Sequence, residues 1–127
     1  MSHSKATVIR PEDRQPTPAT PGMVREAAYP GSDRWAGSVR TEPGMISGWH
    51  HHGGWDTYVY VVRGKVRLEF GPNGSDTVEA GPGDFMHVPA HMVHREGNPS
   101  DHVADLVVFR VGRGEIVVNV DGPEQRP

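Results

Sequence analysis

Residues 44–64 read GMISGWHHHGGWDTYVYVVRG, and the fold is decided by how this stretch is divided. Two runs with period-two character, 46–52 and 57–63, are separated by the pair Gly53-Gly54, which reads as two strands and a tight connection. In an extended chain alternate side chains share a face, so His50 and His52 project together and His51 points the other way. That places two imidazoles side by side, as a metal site needs. Asp56 opens the next strand, and a hairpin across the glycines brings its carboxylate back beside the pair.

Outward from this stretch the same pattern recurs. Strands are expected at 24–29, 35–41, 46–52, 57–63, 65–71, 77–80, 85–88, 93–96, 103–112 and 115–121, each closed by Gly, Pro, Asn or Asp. The chain holds 16 glycines and 12 prolines in 127 residues, which leaves little room for helices. The reading is an all-β sandwich or barrel, one domain over 24–121, with one sheet curled around a concave face. No apolar run of about 18 residues is present, so no membrane span is expected and the protein reads as cytoplasmic. A net charge of -3, with 13 scattered basic residues, argues against a nucleic-acid partner.

With no cysteine, disulfides and thiolate ligands are excluded, and metal chemistry falls to histidine and carboxylate. Six of the 8 histidines lie between His50 and His94. A later segment, 83–98, reads GDFMHVPAHMVHREGN and adds His94. Three neutral imidazoles and one carboxylate suit a divalent transition ion (Fe, Mn, Co, Ni, Cu or Zn) and not Ca or Mg. A histidine run is also what a solvated strand end looks like, so spacing has to decide between the two.

The two segments resemble the two motifs of the cupin superfamily. The first, G-x5-H-x-H-x3,4-E-x6-G, falls on Gly44, His50, His52 and Gly64; the second, G-x5-P-x-G-x2-H-x3-N, falls on Gly83, Pro89, His94 and Asn98. The resemblance covers roughly residues 35–112 and has the short intermotif stretch, 65–82, of small single-domain cupins. It implies a double-stranded β-helix barrel of the jelly-roll type with a metal in its mouth, held by His50, His52, His94 and the residue at the glutamate position. That position departs from the motif. Three intervening residues after His52 lead to Asp56, four lead to Thr57, and counting back from Gly64 also gives Thr57. Only Asp56 can bind an ion as an anion; a ligand, a ligand through water and a hydrogen-bonding partner of a ligand are all open to it. His91 stands where the second motif has its middle glycine.

If Asp56 faces inward, alternation adds Tyr58 and Tyr60 to the pocket wall, and the later segment adds Phe85, His87, His91 and Met92. Plain core packing is an equal reading for each. Trp49 and Trp55 flank the ligands at the mouth, and Arg40, Arg63 and Arg95 are the cations considered for a substrate carboxylate. The expected function is a metal-dependent cupin enzyme acting on a small organic substrate. Fe(II) and dioxygenase-type chemistry come first, since His50, His52 and His94 leave coordination positions open. A redox-neutral isomerase or lyase, with His87, His91 or Tyr60 moving a proton, and a non-catalytic ligand-binding cupin are the alternatives. Residues 1–23 read as an arm in which only Ala6 to Ile9 has β character, and 122–127 as a tail. An edge-strand arm and an uncovered β surface, together with the habit of small cupins, make a homodimer the expected assembly. His3 and His102 read as bystanders.

Overall fold

The structure is a computed structural model that describes residues 4–18 and 20–125; His3 and the ends of the arm and tail lie outside the described residues. Among the described residues eleven strands form, with single 3-10 turns at Pro11–Asp13 and Pro72–Gly74. They are β1 (Gln15–Thr17), β2 (Met23–Tyr29), β3 (Arg34–Thr41), β4 (His50–His51), β5 (Asp56–Arg63), β6 (Val66–Phe70), β7 (Asp76–Ala80), β8 (Phe85–Val88), β9 (His94–Gly97), β10 (Ala104–Val111) and β11 (Val118–Asn119). One six-stranded sheet runs in the order β1-β2-β3-β10-β5-β8, and a five-stranded sheet runs β11-β4-β9-β6-β7. The two face each other in the double-stranded β-helix manner. Among the described residues no helix is long and apolar enough to cross a membrane.

Every long strand alternates. Met23 and Ala27, Trp35 and Val39, Val59 and Val61, Met86 and Val88, and Leu106 and Val108 are buried from the larger sheet, and Val66, Leu68 and Ala80 from the smaller one. Those inward faces close the core, as β-branched residues on a half-buried pleat should. Two expectations are corrected here. The β-rich piece at Ala6 to Ile9 forms no strand; the arm instead joins the sheet through β1, whose Gln15, Pro16 and Thr17 pair with β2. Thr7 is tethered to Tyr29 by side-chain and carbonyl hydrogen bonds to the phenol, at 2.8 and 3.0 Å. The second expectation, a strand over 46–52, shortens to β4 and one isolated bridge at Ile46, with residues 47–49 between them leaving the ladder and bending at Trp49.

Asn98 fastens the two motif segments to each other. It is 1% exposed; its amide donates to the carbonyl oxygens of His102 (2.7 Å) and Thr41 (3.4 Å), and its Oδ1 accepts from the amide and hydroxyl of Ser100. Its own backbone bonds to Met45 and Gly44. Asn98→Ala strands several buried polar groups at once and is expected to cost about 2–4 kcal/mol, read from urea unfolding. A loss below about 1 kcal/mol would mean that water replaces the amide there.

Candidate metal centre

β4 lies between β11 and β9, with His50 directly opposite His94 in the antiparallel ladder. His52 follows one pleat later on the same face as His50. The three rings meet, with centroids 4.4 to 5.1 Å apart, and one ring nitrogen from each lies within 4.8 Å of the others. All three side chains are buried, His94 to 1%.

What the other ring nitrogens touch decides the chemistry. Nδ1 of His50 is 2.9 Å from the Gly48 carbonyl oxygen, Nδ1 of His94 is 3.0 Å from that of Met92, and Nδ1 of His52 is 2.7 Å from that of Ile116. A carbonyl oxygen only accepts, so each Nδ1 must carry the proton and each neutral ring keeps its lone pair on Nε2. Those Nε2 atoms make no hydrogen bond among the described residues. Burial, followed by the nearby Arg110 cation, pushes His52 from 6.5 down to about 2, and burial likewise lowers His94, so neither takes a proton at neutral pH. Three buried, unpartnered imidazole acceptors converging on one point fit a borderline divalent ion.

The anchors of His50 and His94 are local, the carbonyl two residues back in each case. That of His52 comes from 64 residues further on. The approach depends on Gly53, which has φ +52° and whose added Cβ would stand 2.4 Å from the Glu115 carbonyl oxygen. No side chain fits there without moving the segment that orients His52.

Asp56 is not in this group. Trp55, Thr57, Val59 and Val61 are the buried residues of this stretch, so Asp56, Tyr58, Tyr60 and Val62 turn to the outer face. Burying an indole, which donates to the Gly114 carbonyl oxygen at 3.0 Å, and three β-branched side chains outweighs placing one carboxylate inside. Outside, Asp56 accepts from His87 at 2.8 Å and from the Ala90 amide at 3.3 Å, and the His87 bond holds its carboxyl below the usual range. Thr57 occupies the inward glutamate position, 3% exposed.

The wall expected from alternation is corrected with it. Tyr58 stacks on His87 and Tyr60 packs against Phe85, all four exposed on the outer sheet face. His91 is exposed, and its φ of +64° matches the left-handed turn for which the motif has glycine. Met92 is half-buried against the core and contributes its carbonyl to His94. His51 turns away from the cluster, accepting from the Gly53 amide.

The cations also differ from those expected. Arg40 and Arg63 both pair with Asp105 on the outer surface, and Arg95 pairs with Glu69 while lying over Trp49. Facing inward instead are Arg110, 4% exposed, and the half-buried Arg25. The signal was present in the sequence: Arg110 breaks the apolar face set by Leu106 and Val108, and Arg25 breaks that of Met23 and Ala27. Together with Thr57, Glu96, His52 and His94 they border an interior cavity of about 20 Å³. A cleft of about 440 Å³ is bordered by His50 and His52, and Arg25 and His52 border both spaces.

Among solved structures the chain is similar to KdgF from Halomonas sp., with a TM-score of 0.67 and 22% identity over 86% of this chain and 96% of that one. It is similar to the cupin domain of Schizosaccharomyces pombe Cnp3, with 0.65 and 13% over 73% and 66%. A mutant of Bacillus subtilis oxalate decarboxylase OxdC gives 0.70 and 22% over 86% of this chain and 30% of that larger one. At these identities the likeness speaks for the fold alone. No curated protein sequence matches. The family profile described as Cupin domain matches residues 37–110, which is more than half of the chain and includes all three clustered histidines. This chain belongs to the Cupin domain family.

Proposed function

We propose that the protein is a metal-dependent enzyme acting on a small organic substrate at the barrel mouth, with His50, His52 and His94 holding one divalent transition ion, Fe(II) by preference. The observation that carries this reading is the convergence of one ring nitrogen from each of the three histidines, every Nδ1 being engaged by a carbonyl oxygen, with no carboxylate in the group among the described residues, since Asp56 faces outward. A bound ion would supply Lewis acidity and, if iron, electrons for oxygen chemistry at its open positions. The chain's own part is to present three neutral donors, keep them oriented through the carbonyls of Gly48, Met92 and Ile116, and admit substrate through the cleft beside His50 and His52. The Mn(II) centres of the oxalate decarboxylase relative add weight to metal use, though not to one metal.

A redox-neutral reading is favoured by one observation, the Arg110 cation facing His52 and His94, which suits an anionic oxygen polarised by a Lewis acid. Anaerobic purification followed by metal analysis and O2 uptake with candidate substrates separates the two. Iron and substrate-dependent O2 consumption are expected; retained zinc with no O2 uptake, alongside turnover, contradicts the dioxygenase reading.

We also propose that two copies associate through the outer face of the six-stranded sheet. There Tyr58, Tyr60, Phe85, Val107 and Phe109 form an apolar surface, Phe85 being 80% exposed. Light scattering is expected to give twice the chain mass, and Phe109→Asp to give the monomer. A wild-type monomer at micromolar concentration overturns this.

A further inference from the structure

The interior cavity is closed in by charge that the barrel itself does not neutralise. Arg110 is buried; its Nε donates to Thr57 Oγ1 at 3.2 Å and its guanidinium lies 5.4 Å over the Trp35 ring. Its two Nη groups make no hydrogen bond among the described residues. Arg25 reaches the same cavity from β2, donating to the Pro18 carbonyl oxygen and toward the Met23 sulfur, while its Nε is buried without any partner. Among the described residues neither guanidinium has a carboxylate within 4.0 Å. Among the described residues the one acidic group on the cavity is the half-buried Glu96. Three neutral histidines cancel none of the charge of a divalent ion. Ion, Arg25 and Arg110 together then place four positive charges against one negative in a low-dielectric interior, which is unfavourable until an anion arrives.

We infer that the cavity is an anion subsite: Arg110 and Arg25, with the Thr57 hydroxyl beside them, receive the carboxylate of a small organic acid whose remainder lies in the cleft along His50 and His52. The sizes agree. The inner space of about 20 Å³ admits a group the size of roughly one or two waters, whereas the cleft of about 440 Å³ takes the body of a small molecule. The planar fork of a guanidinium matches a carboxylate, and an unpartnered buried Nε is a donor awaiting an acceptor. This assignment deepens the metal-enzyme reading by naming its substrate class, and it rests on that reading for the ion alone.

The test uses glycolate and its neutral isostere glycolamide, with phosphate as a tetrahedral anion. Binding is measured by calorimetry on protein with and without Co(II), and by the visible spectrum of the Co(II) protein. Glycolate is expected to bind and glycolamide at least tenfold less tightly. Arg110→Met and Arg25→Met are each expected to weaken glycolate roughly ten- to a hundredfold. In anion-free buffer Arg110→Met should bind Co(II) more tightly than wild type, because a repelling cation has gone. Opposite signs for anion and metal cannot come from a merely structural arginine. Should Arg110→Met fail to fold, Arg25→Met, on a half-buried position, carries the test. Unchanged glycolate affinity in the folded variants, equal binding of glycolamide, or tighter binding of phosphate overturns the assignment. If no Co(II) binds to wild type, the metal reading fails, and the subsite is judged by the same variants in the metal-free protein.

Discussion

Replacing His52 by alanine lowers the affinity of the protein for a divalent transition ion by more than about a hundredfold, while His51→Ala leaves it within about threefold. The two neighbours differ only in which way the pleat turns them. His52 is 4% exposed, its Nδ1–H is committed to the Ile116 carbonyl oxygen, which leaves Nε2 as its free donor, and its ring joins those of His50 and His94 in the cluster. His51 is bonded to the Gly53 amide outside the cluster. Losing an outer partner of a ligand typically costs ten- to a hundredfold in metal affinity, so losing the ligand itself should exceed that range. Competition with a chelating dye reads the effect. Equal losses in both variants would mean that His51 holds the ion as much as His52 does.

In its metal-free form the protein loses stability as the pH falls below 6.5. The folded-state value of His52 is depressed from 6.5 to about 2, and that of His94 is depressed in the same direction, by burial first in both cases. The unfolded chain therefore takes up protons that the folded chain refuses. This contribution is whole above pH 6.5 and drains away as the pH falls toward the folded values. His52 alone costs about 1.4 kcal/mol per pH unit below 6.5, or about 2 kcal/mol at pH 5, and His94 adds to it in the same direction. Asp56, held low chiefly by its bond from His87, acts in the same sense, but only below its ordinary 3.8. So does Asp105, where burial is outweighed by the bonds from Arg40 and Arg63. Between pH 6.5 and 4 the slope thus belongs to the buried histidines. Urea unfolding at pH 7, 6 and 5 is expected to show it, with a shallower slope in His52→Gln. A flat profile would mean that the cluster is open to water.

The fold was legible because turn residues and alternating strands are local signals. Eight of the ten expected strands reappear within about two residues of where the alternation placed them, and the exceptions, 46–52 and 115–121, are where β4 and β11 shrink to two residues around the cluster. His50, His52 and His94 were legible for the same reason, with fixed spacing on a period-two chain. The pocket wall was not. Starting the alternation at Asp56 rather than Trp55 is a slip of one residue, and such a slip sends every side chain of a strand to the wrong face. Chemistry favoured the only anion; packing favoured the tryptophan. Arg110 and Arg25 were passed over because long-range pairing, with Arg110 in register with Trp35 on one side and Thr57 on the other, decides what an inward charge meets. The anchor of His52 depends likewise on a segment 64 residues away.

The central claim is that His50, His52 and His94 hold one ion through their Nε2 atoms. A crystal structure of the protein loaded with Co(II), with anomalous differences collected at the cobalt edge, tests it directly. One anomalous peak bonded to all three Nε2 atoms, with Asp56 still on His87, is the predicted result. A peak bound through Nδ1, one that recruits Asp56 in place of a histidine, or one lying away from the three rings would contradict it.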